Sequence, residues 1–228
     1  MNPTEILKKA QEWLKSPFDE KTKEEVKQVI ENDPKELADR FYKDLEFGTG
    51  GMRGVMGAGT NRINKYTLGK STQGLSNYLI SAFPGKKLKV VIAYDCRNNS
   101  QLFAKEVAKV FSANDIQVYL FEELRPTPEL SFAVRELGCD AGIVLTASHN
   151  PPEYNGYKVY FNDGGLIVPP QDDAIVDEIN KVKFDKIRFD AKENLIQVIG
   201  EAIDNKFIEA AVKNATFPDT KERNKLKI

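Results

Sequence analysis

Apolar residues in the first 46 positions recur every three or four places, in Thr4 to Leu14, Glu20 to Ile30 and Pro34 to Tyr42. That is the spacing of a helix with one buried face. Asp33 before Pro34 is a start signal: a side-chain acceptor, then a residue whose missing N–H is not needed at a helix N-terminus. Residues 1–46 are therefore expected to form a helical extension packed on a later domain. Between Glu46 and Thr60 the texture changes, and FGTGGMRGVMGAGT (47–60) holds six glycines.

A helix-compatible stretch follows, about Tyr66 to Phe83. Strand-like and helix-like segments then alternate. Leu88 to Tyr94 and Ile116 to Phe121 are apolar and rich in β-branched and aromatic residues, and Ala141 to Leu145 reads as a buried strand. Between them lie Gln101 to Asn114 and Pro128 to Leu137, with helical spacing. This series predicts a layered α/β domain with a mixed, mostly parallel sheet. Gly156 to Asn162 and Leu166 to Val168 flank Asp163-Gly164-Gly165, an expected hairpin turn. Ile203 to Val212 is helical in pattern, 217–224 is a polar loop, and Leu226-Lys227-Ile228 starts a new apolar run. The expected organisation is an extension over 1–46, a catalytic-type α/β domain over 47–190, and over 191–228 a linker with the cut start of a second domain.

Composition narrows the function. Of 228 residues, 33 are basic and 34 acidic, so the net charge is -1, which argues against a nucleic-acid or anionic-membrane binder. No run approaches the roughly 18 apolar residues that span a bilayer, and MNPTEILKKAQEW lacks the apolar centre of a signal peptide. Two cysteines, Cys96 and Cys139, make no disulfide framework. The expected compartment is the cytoplasm. The only histidine is His149, so a multi-histidine metal site is ruled out.

In open α/β sheets, ligands sit outside the carboxyl ends of the strands. Asp95, Arg97, Asn98 and Asn99 follow the first strand, Glu122, Glu123 and Arg125 the second, and Thr146 to Pro152 the third. If the strands are parallel, these sets meet at one edge. Ser148, with His149 beside it and Lys158 ten residues on, is the candidate centre. A serine hydroxyl needs a base or a held electrophile to react, and a phosphorylated serine needs cations and N–H donors around it. Other motifs fail. Gly69-Lys70-Ser71 lacks the earlier glycine of a P-loop, that place being Asn64, and reads as helix surface. The glycines at 48–59 do not fit a dinucleotide fingerprint, and no strand precedes them. Thr-Ala-Ser-His-Asn is not the G-x-S-x-G elbow of a serine hydrolase.

Three motifs in order resemble the α-D-phosphohexomutase (phosphoglucomutase/phosphomannomutase) family. TASHNPPEYNGYKVY (146–160) resembles its phosphoserine loop, FGTGGMRG (47–54) its N-terminal signature, and YDCRNNS (94–100) its Asp-x-Arg-x-x-Ser element. The long N-terminal extension resembles the branch that includes phosphoglucomutases, phosphopentomutases and glucose-bisphosphate synthases. The resemblance implies a phosphosugar mutase with four domains around one cleft, acting through a phosphoserine at Ser148 and a sugar bisphosphate, which also serves as activator. It implies Mg²⁺ held through the phosphate on Ser148, and proton transfer or charge stabilisation by His149 and Lys158. It gives phosphate or substrate contacts to Thr49 and Arg53. Arg97 falls with these or holds the serine loop. The implied partners are a small phosphosugar and the remaining domains of the same chain. The family's aspartate-rich metal loop and its sugar-recognition and phosphate-clamp motifs are missing here, so the resemblance covers about residues 40–190. The competing reading is a phosphosugar-binding domain without phosphoryl exchange.

Overall fold

The computed structural model describes residues 2–214. The polar loop at 217–224 and the apolar start at 226–228 lie outside the described residues. Three helices, α1 (Pro3–Glu12), α2 (Glu20–Asn32) and α3 (Pro34–Phe41), form the N-terminal extension. Each is opened by a side chain that accepts a backbone N–H: Asn2 from Glu5, Asp19 from Thr22, and Asp33 from Glu36. Such caps satisfy donors that a helix start leaves free. The helices bury an aromatic cluster on the main domain, where Trp13 stacks on Phe18 at 4.3 Å and meets Phe41, Tyr66 and Phe184 edge-on.

The main domain alternates as read from the sequence. It runs through β1 (Gly51–Val55), α4 (Lys65–Ala82), β2 (Lys89–Tyr94), α5 (Ser100–Ala113), β3 (Gln117–Phe121), α6 (Thr127–Glu136) and β4 (Ala141–Leu145). It continues with β5 (Tyr154–Phe161), α7 (Gln171–Lys181), β6 (Ile196–Ile199) and α8 (Glu201–Lys213). The strands form one six-stranded sheet in the order β1-β5-β4-β2-β3-β6. β4, β2, β3 and β6 are parallel, and β5 and β1 are antiparallel at the other edge. The expected mixed, mostly parallel sheet is present. One face packs Val90, Ile92, Ile143 and Leu145 under α4, α5 and α7, and the other packs Val91, Ala93 and Val144 under α6 and α8.

The structure corrects or adds to the sequence reading at four places. The glycine-rich segment contains strand β1, hidden because Gly51 and Gly54 carry no strand signal. Helix α7 forms where the sequence reading places no element. Residues 196–213, expected in a linker, complete the sheet with β6 and cover it with α8. Ser71, read as helix surface, is buried against Met52, its hydroxyl 3.4 Å from the sulfur. The turn at 163–165 behaves as expected: Gly164 and Phe161, and Phe161 and Gly165, are joined by backbone bonds, and Leu166 bridges back to Tyr160.

Candidate active site at the serine loop

β4 ends at Leu145, and the chain turns through Thr146–Glu153 into β5. Ser148 lies exposed on this loop with φ +53°, in the left-handed region that side chains disfavour. Its backbone N–H is held by the Thr146 hydroxyl at 3.1 Å. Lys158, on β5, returns to the same place, and its Nζ donates to Ser148 Oγ at 2.7 Å. Ser148 and Lys158, ten positions apart in the sequence, are thus in direct contact.

The loop is held from below by Arg97. Its Nη1 donates to the carbonyls of Pro151 (3.0 Å) and Tyr154 (3.2 Å), and its Nη2 to those of Ser148 (2.8 Å) and Asn150 (2.6 Å). A planar fork with fixed donors can organise four carbonyls at once, which a lysine cannot. Arg97 is thereby committed to the loop, and the substrate contact entertained for it has no geometric support.

A second hold was missed in the sequence. Asn155 is fully buried. Its Nδ2 donates to Asn98 O and Ser100 Oγ, both at 3.0 Å, and its Oδ1 accepts from Gly156 N at 2.7 Å. Ser100 in turn donates to Asp95 at 2.9 Å. The aspartate and serine of the 94–100 motif thus reach the loop through Asn155. Its local signal in the sequence is Asn-Gly at 155–156. Gly156 is needed because a Cβ there would sit 2.5 Å from Thr146 O and 2.9 Å from Met52 O.

The third wall is the glycine-rich segment. β1 pairs with β5 so that Gly51 opposes Lys158 and Arg53 opposes Gly156. Opposed residues, and those two apart, share a sheet face, so Arg53 and Lys158 project on the same side. A Cβ at Gly51 would come 2.0 Å from Tyr157 O, which fixes glycine there. Arg53 is exposed and its Nη1 lies 3.4 Å from Asn150 Oδ1, a long contact that leaves it available to an anion. Thr49, at the turn before β1, donates to the buried Asp172 carboxylate at 3.1 Å. Thr49, Arg53, Thr146 and Lys158 line an open cleft of about 470 Å³, with Leu166 on its rim. His149 is exposed beside Ser148. Arg125 is not brought in; it binds Asp204 of α8.

Among the described residues no three His, Cys, Asp or Glu side chains come together as a metal cage. The ammonium of Lys158 on Ser148 Oγ also repels a cation from the bare hydroxyl. These residues alone do not fit a Mg²⁺ site.

The family model for phosphoglucomutase/phosphomannomutase, alpha/beta/alpha domain I, matches residues 44–186, and that range contains the whole serine loop and its three walls. The chain belongs to the phosphoglucomutase/phosphomannomutase family. Among curated proteins it is 43% identical over 173 residues to glucose 1,6-bisphosphate synthase of Mus musculus, covering 72% of this chain and 28% of that protein. It is 40% identical over 178 residues to phosphopentomutase of Homo sapiens, covering 75% and 29%. To phosphoglucomutase of Staphylococcus epidermidis it is 50% identical over 123 residues, covering 54% and 22%. The chain therefore spans less than a third of the length of these relatives. A solved phosphoglucomutase/phosphomannomutase family protein from Burkholderia thailandensis has the same fold over 73% of this chain and 35% of its own, with a TM-score of 0.56 and 22% identity. No described helix is long and apolar enough to cross a membrane.

Proposed function

We propose that this chain is the phosphoserine-bearing domain of a cytoplasmic phosphosugar mutase, interconverting sugar 1-phosphates with 6- or 5-phosphates through Ser148 and a sugar bisphosphate. The observation that carries this reading is the 2.7 Å contact between Lys158 Nζ and Ser148 Oγ, on a loop locked by Arg97.

In the forward half-reaction the bond between phosphorus and Ser148 Oγ breaks as a bond to a sugar hydroxyl oxygen forms. The sugar hydroxyl gives its proton to a base, the part that the family resemblance leaves to His149, and Ser148 Oγ gains one. Lys158 is placed to supply that second proton and to stabilise negative charge growing on Oγ. In the reverse half-reaction the same amine, once neutral, takes the serine proton. His149, beside Ser148, is assigned by family resemblance to assist proton transfer. Arg53 and Thr49 line the cleft where a second phosphate would sit.

Two anionic groups must approach each other in such a site. Unit charges 4 Å apart repel by about 4 kcal/mol at an effective dielectric of 20. Arg53 and Lys158 offset part of that, and Mg²⁺, were it held by the phosphate on Ser148, would supply further positive charge. The residues here supply one wall of a site that must also exclude water. Mutase activity of residues 1–228 alone is therefore expected to be negligible.

The matched relatives, 40–50% identical over 123–178 residues, are named for three different activities. That supports a domain that carries phosphate whatever the sugar, with sugar choice made elsewhere. Incubating the full-length protein with Mg²⁺ and a hexose bisphosphate should leave phosphate on the peptide containing Ser148, detected by mass mapping, and Ser148→Ala should abolish it. Saturable binding of the bisphosphate with no label on that peptide would instead favour a binding domain.

A further inference from the structure

On the sheet face away from α5, a charged cluster lies under the C-terminal helix. Arg125, in the loop after β3, grips Asp204 of α8 with both forks, Nε at 2.8 Å and Nη2 at 2.7 Å. Glu129, on the first turn of α6, is next to both and only 4% exposed. Its Oε1 is wholly buried, and no N–H or O–H donor among the described residues reaches it. The nearest cation, Arg125 Nε, is 3.9 Å away and already spent on Asp204. A buried carboxylate without a donor is costly, whereas a carboxylic acid brings its own proton. The Asp204 carboxylate lies within hydrogen-bonding reach of the Glu129 carboxyl.

We infer that Glu129 is held as the acid, donates its proton to Asp204, and so latches α8 onto α6; loss of that one proton loosens the C-terminal helix. Aspartate cannot serve as the acid in this pair, because Arg125 holds it as the anion.

The remaining surroundings do not compete for the proton. From the loop after β3 come Arg125 and Glu122, whose carboxylate is 3.7 Å from Arg125. α8 contributes Asp204. The strands beneath α6 contribute Val91, Ala93 and Val144, with Tyr160 and the Cys139 thiol as the ionisable groups of that apolar cluster. Burial pushes Cys139 up to about 12 and raises Tyr160, so both are neutral. Lys206 pairs with Glu136 at 2.6 Å, a second tie between α8 and α6. With this tie in place, the helix is loosened rather than released.

Burial, then Asp204, push the Glu129 carboxyl up to about 7 from its ordinary 4.5, against the pull of Arg125. Arg125 holds Asp204 below its ordinary value. Between 4.5 and 7 the closed form keeps a proton that the opened form releases. Its stabilising effect is complete below 4.5 and is lost as pH rises through 7. Asp204 contributes in the opposite sense, but only at acid pH below that window.

The 228-residue chain itself serves for the test. In ¹³C NMR the Glu129 carboxyl, assigned by comparison with Glu129→Gln, should titrate near neutrality. Amide protection factors along α8, corrected for intrinsic exchange, should fall on the order of tenfold between about pH 5.5 and 8. In Glu129→Gln they should stay level, because the amide donates to Asp204 at both pH values. Asp204→Asn removes the neighbouring anion and frees Arg125, so the Glu129 midpoint should drop, which provides a reading even where the glutamine variant folds badly. A wild-type Glu129 midpoint at its ordinary value, or α8 protection with the same pH response in wild type and Glu129→Gln, overturns the latch.

Discussion

The two halves of the sheet are built on opposite principles. In the parallel half, Val90 to Ala93 of β2 and Ala141 to Leu145 of β4 are buried on both faces, and their side chains serve only packing. In the antiparallel half, β1 and β5 alternate: Met52 and Tyr157 enter the core while Arg53 and Lys158 face the cleft. Glycines at 51 and 156 let backbone approach backbone where a side chain would collide. One half is held by apolar contact and the other by hydrogen bonds and close approach, so the two should fail differently when altered.

The largest effect should come from the packed half. Ile143 is fully buried and paired in register with Ile92. Ile143→Ala should lower unfolding free energy by about 2–5 kcal/mol, through lost burial and the cavity left behind. Urea unfolding monitored by far-ultraviolet circular dichroism measures this. A loss below about 1 kcal/mol would mean that this half is less tightly packed than its burial indicates.

A smaller loss is expected from Gly156→Ala, although it adds only one methyl group. The new Cβ meets two backbone oxygens, Thr146 O at 2.5 Å and Met52 O at 2.9 Å, one on each side of β5. Neither can swing away as a side-chain tip would, so β5 must shift, at a cost of roughly 1–3 kcal/mol. Gly165→Ala is the matched control. Its Cβ would first meet the movable Asp163 carboxylate at 3.2 Å, and the change should stay within about 0.5 kcal/mol. Equal losses for the two would remove the distinction between close backbone approach and ordinary glycine replacement.

Legibility in the sequence followed the same division. Continuous apolar runs announced β2, β3 and β4, and three- and four-residue spacing announced α1 to α6 and α8, because burial leaves a pattern. β1 was silent, since a strand specified by absent side chains shows only glycine. β6 is four residues with half-exposed ends, too short for periodicity, and its place in the sheet comes from pairing with β3. Helix α7 does carry Ile175 and Ile179 at helical spacing, but Asp172 and Asp173 before them and Asp177 and Glu178 between them masked the stripe. At the site, Ser148, Lys158 and Arg97 were legible through the motifs that contain them. Asn155 was not, because a buried amide is defined by what it joins, here residues 55 and 57 positions away. The Glu129–Asp204 pair joins residues 75 positions apart and left no mark on any local pattern.

The smallest stability change is also the one that separates stability from chemistry. Ser148 adopts φ +53°, where a Cβ crowds the following carbonyl and costs about 1 kcal/mol. Its side-chain bond to Lys158 is exposed and stabilises little. Ser148→Gly should therefore stabilise the fold by about 1 kcal/mol relative to Ser148→Ala, since glycine occupies this conformation without a clash. Both variants lack the hydroxyl, so under the proposed function neither would take up phosphate. A serine kept at a position that glycine would stabilise is a serine retained for its oxygen. Paired urea midpoints decide the matter: a glycine variant no more stable than the alanine one would show the loop to be unstrained, and the serine's backbone would then say nothing about its use.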